Sequence, residues 1–212
     1  MKKILIAAGL CAGGLRGDLP FQEDSCIYLS LAQSMVRGIG YTYTVEPQDR
    51  PANYHPPGYP AMHVPLAYFF PRNYIAPKIL SIVLTLILIA IIFYSSGVIF
   101  KDDRAIFVAA MMAFNSLFIF YSRQVLTEIP YLLFSFITVY FLELYSKTKR
   151  AASRYLFIAA FSMAAAFYTR SIGISLAIAA LIYFMFQREI RKGASLASVF
   201  FIFILPWIYY GA

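Results

Sequence analysis

From residue 79 onward, long apolar runs alternate with short polar interruptions, and the run lengths suit a bilayer. Crossing about 30 Å of hydrocarbon takes about 20 apolar residues in a helix, with a lower limit near ~17. Residues 79–100 form such a run, 22 long and free of charge. The pattern predicts further spans at 105–121, 129–145, 155–169, 171–186 and 194–210. Near the N-terminus, 4–15 offers twelve apolar residues behind Lys2 and Lys3. That length fits a retained first span continuing towards Pro20, or the apolar core of a signal peptide. We take the retained span; both readings leave the same face outside.

Between this region and residue 79 the pattern changes. Ile27, Tyr28, Leu31, Ala32 and Met35 recur at helical spacing, with Gly38 and Gly40 as stop signals, so a helix is expected over 25–37. Asp24 or Ser25 would cap it, and it would lie in the interface plane, apolar side down. Residues 41–71 are rich in Pro and Tyr and read as an irregular, packed loop, fixed by Pro-Pro-Gly-Tyr-Pro at 56–60. The expectation is an all-α polytopic membrane protein with about seven transmembrane helices and a large first extracytoplasmic loop, about 16–77, carrying an interfacial helix.

Composition supports the class. Mean hydropathy is +0.69 and charged residues make up 13%, about half the ~25% usual in soluble domains. A net charge of +8 could point to nucleic acid, but here the distribution of basic residues carries the meaning. With Lys2 and Lys3 inside, the short loops at 101–104, 146–154 and 187–193 are inside too, and eleven of the eighteen Lys and Arg residues fall there. The long 16–77 loop and the turns at 122–128 and 169–171 then lie outside the cytoplasm, at the plasma membrane. Cys11 and Cys26 are too few and too differently placed for a disulfide framework or metal cage.

This topology collects Glu23, Asp24, Arg50, His55, Arg123, Glu128 and Arg170 on the outer face. Asp24 has two readings, a helix cap or, with Glu23, a general base whose pKa partial desolvation raises. Glu128, at the mouth of a span, is costly there unless paired. It either forms a structural ion pair with Arg123, or Arg123 or Arg170 receives a phosphate, which suits guanidinium geometry. Arg170 alternatively snorkels to the headgroups. His55 and His63 lie eight apart, which is not a metal-ligand spacing. A divalent metal remains a candidate cofactor, with His55 plus an acid as its ligand set. No nucleotide-binding or hydrolase motif is present.

The order of features is similar to that in GT-C glycosyltransferases. It runs from the acidic pair through Tyr28, Ala32 and Gly38-Ile39-Gly40-Tyr41 to Arg50-Pro51 and Tyr54-His55-Pro56-Pro57-Gly58-Tyr59-Pro60. Ser122-Arg123, Thr127-Glu128, Thr169-Arg170 and Leu205-Pro206-Trp207 resemble that family's later membrane-boundary motifs. The nearest branch is that of bacterial and archaeal relatives of dolichyl-phosphate-mannose protein mannosyltransferases and of the lipid A aminoarabinose transferase. The chain departs from the pattern in its short first span and in having Glu-Asp where many relatives have Asp-Glu or Asp-Asp. Its 212 residues correspond to the N-terminal part of such an enzyme, so a C-terminal remainder is expected to be missing.

The resemblance implies transfer of a sugar, with inversion, from a polyprenyl-phosphate donor in the membrane lipid to a hydroxyl on protein, lipid or glycan, with no nucleic-acid partner. It implies Asp24 as base beside Glu23, and substrate contacts from Arg123, Glu128, Arg170, His55, Tyr59, Arg50 and Tyr28. The competing classes are a transporter or flippase component and an inactive GT-C scaffold. Transporters tend to place charge at the midplane of broken helices, and these spans carry almost none.

Overall fold

A computed structural model describes residues 23–43, 50–71, 73–100, 104–147 and 152–211. The expected first span, Lys2, Lys3 and the loop residues 101–103 and 148–151 lie outside these described residues. The chain forms two compact units. One contains the described residues up to 52 together with 59–130; the other contains 53–58 and 131–211.

In the first unit, α1 (Glu23–Val36) begins two residues earlier than expected. Asp24 is therefore a first-turn residue, where a carboxylate favours the positive end of the helix dipole, and neither it nor Ser25 is the cap. The helix stops where the glycines stood out. Gly38 and Gly40 have φ of 73° and 97°, conformations that side chains resist, and the Ile39 amide donates back to the Ser34 carbonyl. The Ser34 hydroxyl donates to the Gly40 carbonyl at 2.8 Å and lies 2.9 Å from that of Thr42. A two-residue ribbon follows, β1 (Thr42–Tyr43) antiparallel to β2 (Arg50–Pro51), with Thr42 opposite Pro51.

The Pro-rich segment expected to be irregular instead contains a helix, α2 (Gly58–Phe69). Pro60 falls in its first turn, where a missing N–H costs nothing, and only Pro65 lies further inside. Next comes α3 (Ile75–Phe100), whose first amides, of Ile75 and Ala76, are accepted by the Asn73 side chain at 2.9 and 3.2 Å. The expected span at 105–121 is broken into α4 (Arg104–Ala113) and α5 (Ser116–Ser122). Asn115 causes the break: its Oδ1 accepts the Leu117 and Phe118 amides at 3.0 and 3.1 Å, starting a new helix in place of continuing the old one. Both pieces pack on α3.

α6 (Glu128–Lys147) has its first turn in this unit and its remainder in the second, which also holds α7 (Ala152–Thr169), a 3₁₀ turn (Ser171–Gly173), α8 (Ile174–Phe186) and α9 (Ile190–Gly211). Ala159, Ala160 and Ala164 give α7 a small-residue face, and the buried Met163 of α7 and Phe184 and Phe200 of α8 and α9 share its core. Small side chains let helices approach closely where lipid removes the hydrophobic driving force. Thr138 donates to Ser162 at 3.2 Å, and Tyr168 to the Phe203 carbonyl at 3.0 Å. Lys192 donates to Glu189 and to the Ser146 carbonyl, and Lys147 pairs with Glu143 at 2.7 Å.

Among the described residues, Ile75–Ser96, Glu128–Lys147 and Ile190–Gly211 are long and apolar enough to cross a membrane. Large apolar side chains such as Ile79, Val83 and Ile87 on α3, and Ile178, Leu181 and Met185 on α8, are exposed, as lipid-facing residues are. The protein is an all-α membrane protein.

Candidate functional site

Three sequence-distant segments of the first unit converge: the start of α1, the start of α2 and the turn at 123–127 that leads into α6. Tyr28, Tyr59 and Val125 form their buried meeting point, with Leu29 and Met62 packed against it. Helical spacing explains the α1 contribution. Asp24 and Tyr28 are four residues apart and so share a face, yet Asp24 is exposed and Tyr28 buried. The carboxylate thus stands at the open end of a packed aromatic floor. Glu23 is the first residue of α1.

The floor is a row of perpendicular rings. Tyr28 meets Tyr59 edge to face at 5.1 Å, and Tyr59 meets His63 likewise at 4.7 Å, arrangements aromatic quadrupoles favour. Tyr59 and His63 are one turn apart on α2, and their relative exposures are 1% and 0%. Burial pushes the Tyr59 phenol well above its usual range; Ser81 of α3 opposes this, and the Tyr28 and Glu128 charges add to it. Ser81 therefore stands close by, although its approach lacks the alignment of a full hydrogen bond to the Tyr59 hydroxyl. Burial pushes the His63 imidazole down to about 4, so the ring is neutral at physiological pH.

The turn between α5 and α6 supplies the third wall. The Arg123 amide closes α5 by donating to the Phe120 carbonyl at 3.1 Å, and Gln124, Val125, Leu126 and Thr127 are all buried. Arg123 and Glu128 are half-buried, and Glu128 lies close enough to Tyr59 for its charge to be felt. Tyr28, Tyr59 and Glu128 are thereby brought together, with Asp24 one helical turn from Tyr28.

The remaining expected residues are placed separately. Arg50 is exposed on β2, paired across the ribbon with Tyr43. His55 and Arg170 belong to the second unit. His55 is half-buried with its ring 4.9 Å from that of Tyr54, and Arg170 is exposed, in extended conformation just before the 3₁₀ turn. Also in that unit, Gly58 lies so close to the Tyr168 backbone that an added Cβ would stand 2.6 Å from its carbonyl oxygen. Among the described residues no three of His, Cys, Asp and Glu gather as metal ligands.

Sequence reasoning weighed His63 only as a metal ligand and gave no part to Ser81 or to the buried Lys78. Lys78, 2% exposed in the first turn of α3, announced itself as a cation next to an apolar run, where a charge is expensive. His63 would have stood out as the i+4 neighbour of Tyr59, had α2 been read as a helix.

A family model described as dolichyl-phosphate-mannose-protein mannosyltransferase matches residues 54–210. No curated protein and no solved structure matches the chain.

Proposed function

Because the chain belongs to the dolichyl-phosphate-mannose-protein mannosyltransferase family, we propose that it takes part in transferring a sugar from a polyprenyl-phosphate donor to a hydroxyl of a protein, lipid or glycan, at the extracytoplasmic face of the plasma membrane. The observation that carries this reading is the meeting of α1, α2 and the 123–127 turn at Tyr28, Tyr59 and Val125, because it sets an exposed carboxylate beside walls built from the family-like motifs. Nine basic residues in the short loops of the opposite face, with Lys2 and Lys3, support the orientation.

In this mechanism the acceptor hydroxyl attacks the anomeric carbon as the bond from that carbon to the phosphate oxygen breaks. Asp24 takes the hydroxyl proton, and polyprenyl phosphate leaves with the bonding electron pair. Attack opposite the leaving group inverts the anomeric centre. Arg123 stabilises the growing phosphate charge, while Glu23, Glu128, Arg50, Tyr28 and Tyr59 order the sugar and acceptor. Asp24→Asn tests the assignment directly. With an exposed side chain removed from no packed contact, thermal stability should hold while transfer from a radiolabelled polyprenyl-phosphate sugar falls by about 10²–10⁴. Wild-type rates in that variant, at matched expression, would take the base role away from Asp24.

A further inference from the structure

We propose that Tyr59 and His63 form a binding site for a neutral hydroxyl group, supplied either by an internal water or by a hydroxyl of the sugar substrate. Neither ring nitrogen of His63 has a hydrogen-bond partner among the described residues, and the Tyr59 hydroxyl has only the incomplete approach of Ser81; both side chains are essentially fully buried. Buried polar atoms are almost always satisfied, because a lone one forfeits its hydration with no return. Burial keeps both from turning outward to water, and ring contacts at 5.1 Å to Tyr28 and 4.7 Å to His63 flank the Tyr59 ring. One helical turn separates them and their ring centres are 4.7 Å apart, so the two side chains share one face of α2, and under the proposal one small group serves both.

The chemistry of the pair selects the occupant. A neutral imidazole has one donor and one acceptor, and a phenol can do both, which matches an O–H group. An anion would meet the nearby Glu128 charge. A metal ion would want further ligands, and no three His, Cys, Asp and Glu side chains gather among the described residues. Water and a sugar hydroxyl share the chemistry that fits.

The test uses the full chain in nanodiscs with His63→Phe, Tyr59→Phe, the double variant and His63→Gln. Phenylalanine keeps the ring contacts and removes the polar atoms. A shared hydroxyl predicts that, with a short-chain polyprenyl-phosphate mannose present so that either source can fill the site, each single variant lowers Tm by roughly 3–6 °C, and that the double variant loses no more than one single, since the partner is already lost. Unchanged or raised Tm in the single variants, or additive losses, would overturn the proposal. Binding of a short-chain polyprenyl-phosphate mannose then separates the two sources. A roughly tenfold weaker Kd in His63→Phe, recovered in His63→Gln, assigns the hydroxyl to the sugar; an unchanged Kd beside the lowered Tm assigns it to water. This second arm rests on the glycosyltransferase reading. If the wild type does not bind the probe, that reading fails, while the Tm cycle still decides the hydroxyl site.

Discussion

Adding one methyl group at Gly58 tests how tightly the Pro-Pro-Gly-Tyr-Pro segment is held. A Cβ built there would stand 2.6 Å from the Tyr168 carbonyl oxygen and 2.7 Å from its carbonyl carbon and its Cβ. Ordinary contacts of such atoms begin well above 3 Å, and none of the three can swing aside as the end of a flexible side chain could. Relief therefore requires the start of α2 or the last turn of α7 to move. Overpacking of this kind costs about 1–3 kcal/mol, and a backbone obstacle puts Gly58→Ala near the upper figure. Against it stands the better helix propensity of alanine, up to about 1 kcal/mol at an interior position and less at the first residue of a helix. The net loss is about 2 kcal/mol, or roughly 4–8 °C in Tm for a chain of this size. Thermal unfolding of the purified protein in nanodiscs reads the loss, and transfer activity should fall with it because Tyr59 is the next residue. An unchanged Tm would mean that the Gly58–Tyr168 approach is not a constraint, and a raised one that propensity outweighs packing.

Two further outcomes follow from single residues. His63 has its folded pKa depressed to about 4 from an ordinary 6.5, so the unfolded chain binds its proton first, and stability present above pH 6.5 is lost as pH falls towards 4, by about 3 kcal/mol in total; the slope of unfolding free energy over that window should flatten in His63→Phe, and an identical slope would refute the assignment. Asn115→Ala removes the acceptor of two α5 amides and should cost about 1 kcal/mol, seen as a lower Tm and faster amide exchange at Leu117 and Phe118, whereas unaltered exchange would show that the cap is dispensable.

The long spans were legible because their physics is one-dimensional: uncharged apolar runs such as 79–100 within α3 and 194–210 within α9 have few places to go but across lipid. The short elements were decided by particular side chains. α2 was hidden because Pro56, Pro57, Pro60 and Pro65 read as helix breakers, when a proline in the first turn of a helix breaks nothing. The division of α4 from α5 was hidden for the opposite reason. Apolar residues flank Asn115 on both sides, so periodicity runs through it, and the capping bonds that interrupt it belong to a side chain the hydropathy pattern does not weigh. Within the site, the helix bearing Asp24 and Tyr28 could be read from its apolar spacing and its terminal glycines. Its packing against Tyr59 and Val125 could not, since that depends on α2 being helical.

This arrangement separates two demands that a surface active site makes on a sequence. The base of the proposed reaction needs access, and Asp24 is exposed in the first turn of α1. Precise placement needs rigidity, and one turn later Tyr28 is locked against Tyr59 and Val125 by burial and ring geometry. An α-helix joins the two at fixed spacing, so the floor holds Asp24 in place relative to the groups that Tyr28 and Tyr59 are proposed to order. Variants of the floor must then change Tm and transfer together, while variants of Asp24 change transfer alone. A floor substitution that lowered Tm by several degrees and left transfer at the wild-type rate would break that coupling, and with it the case for placing the chemistry beside Tyr28 and Tyr59.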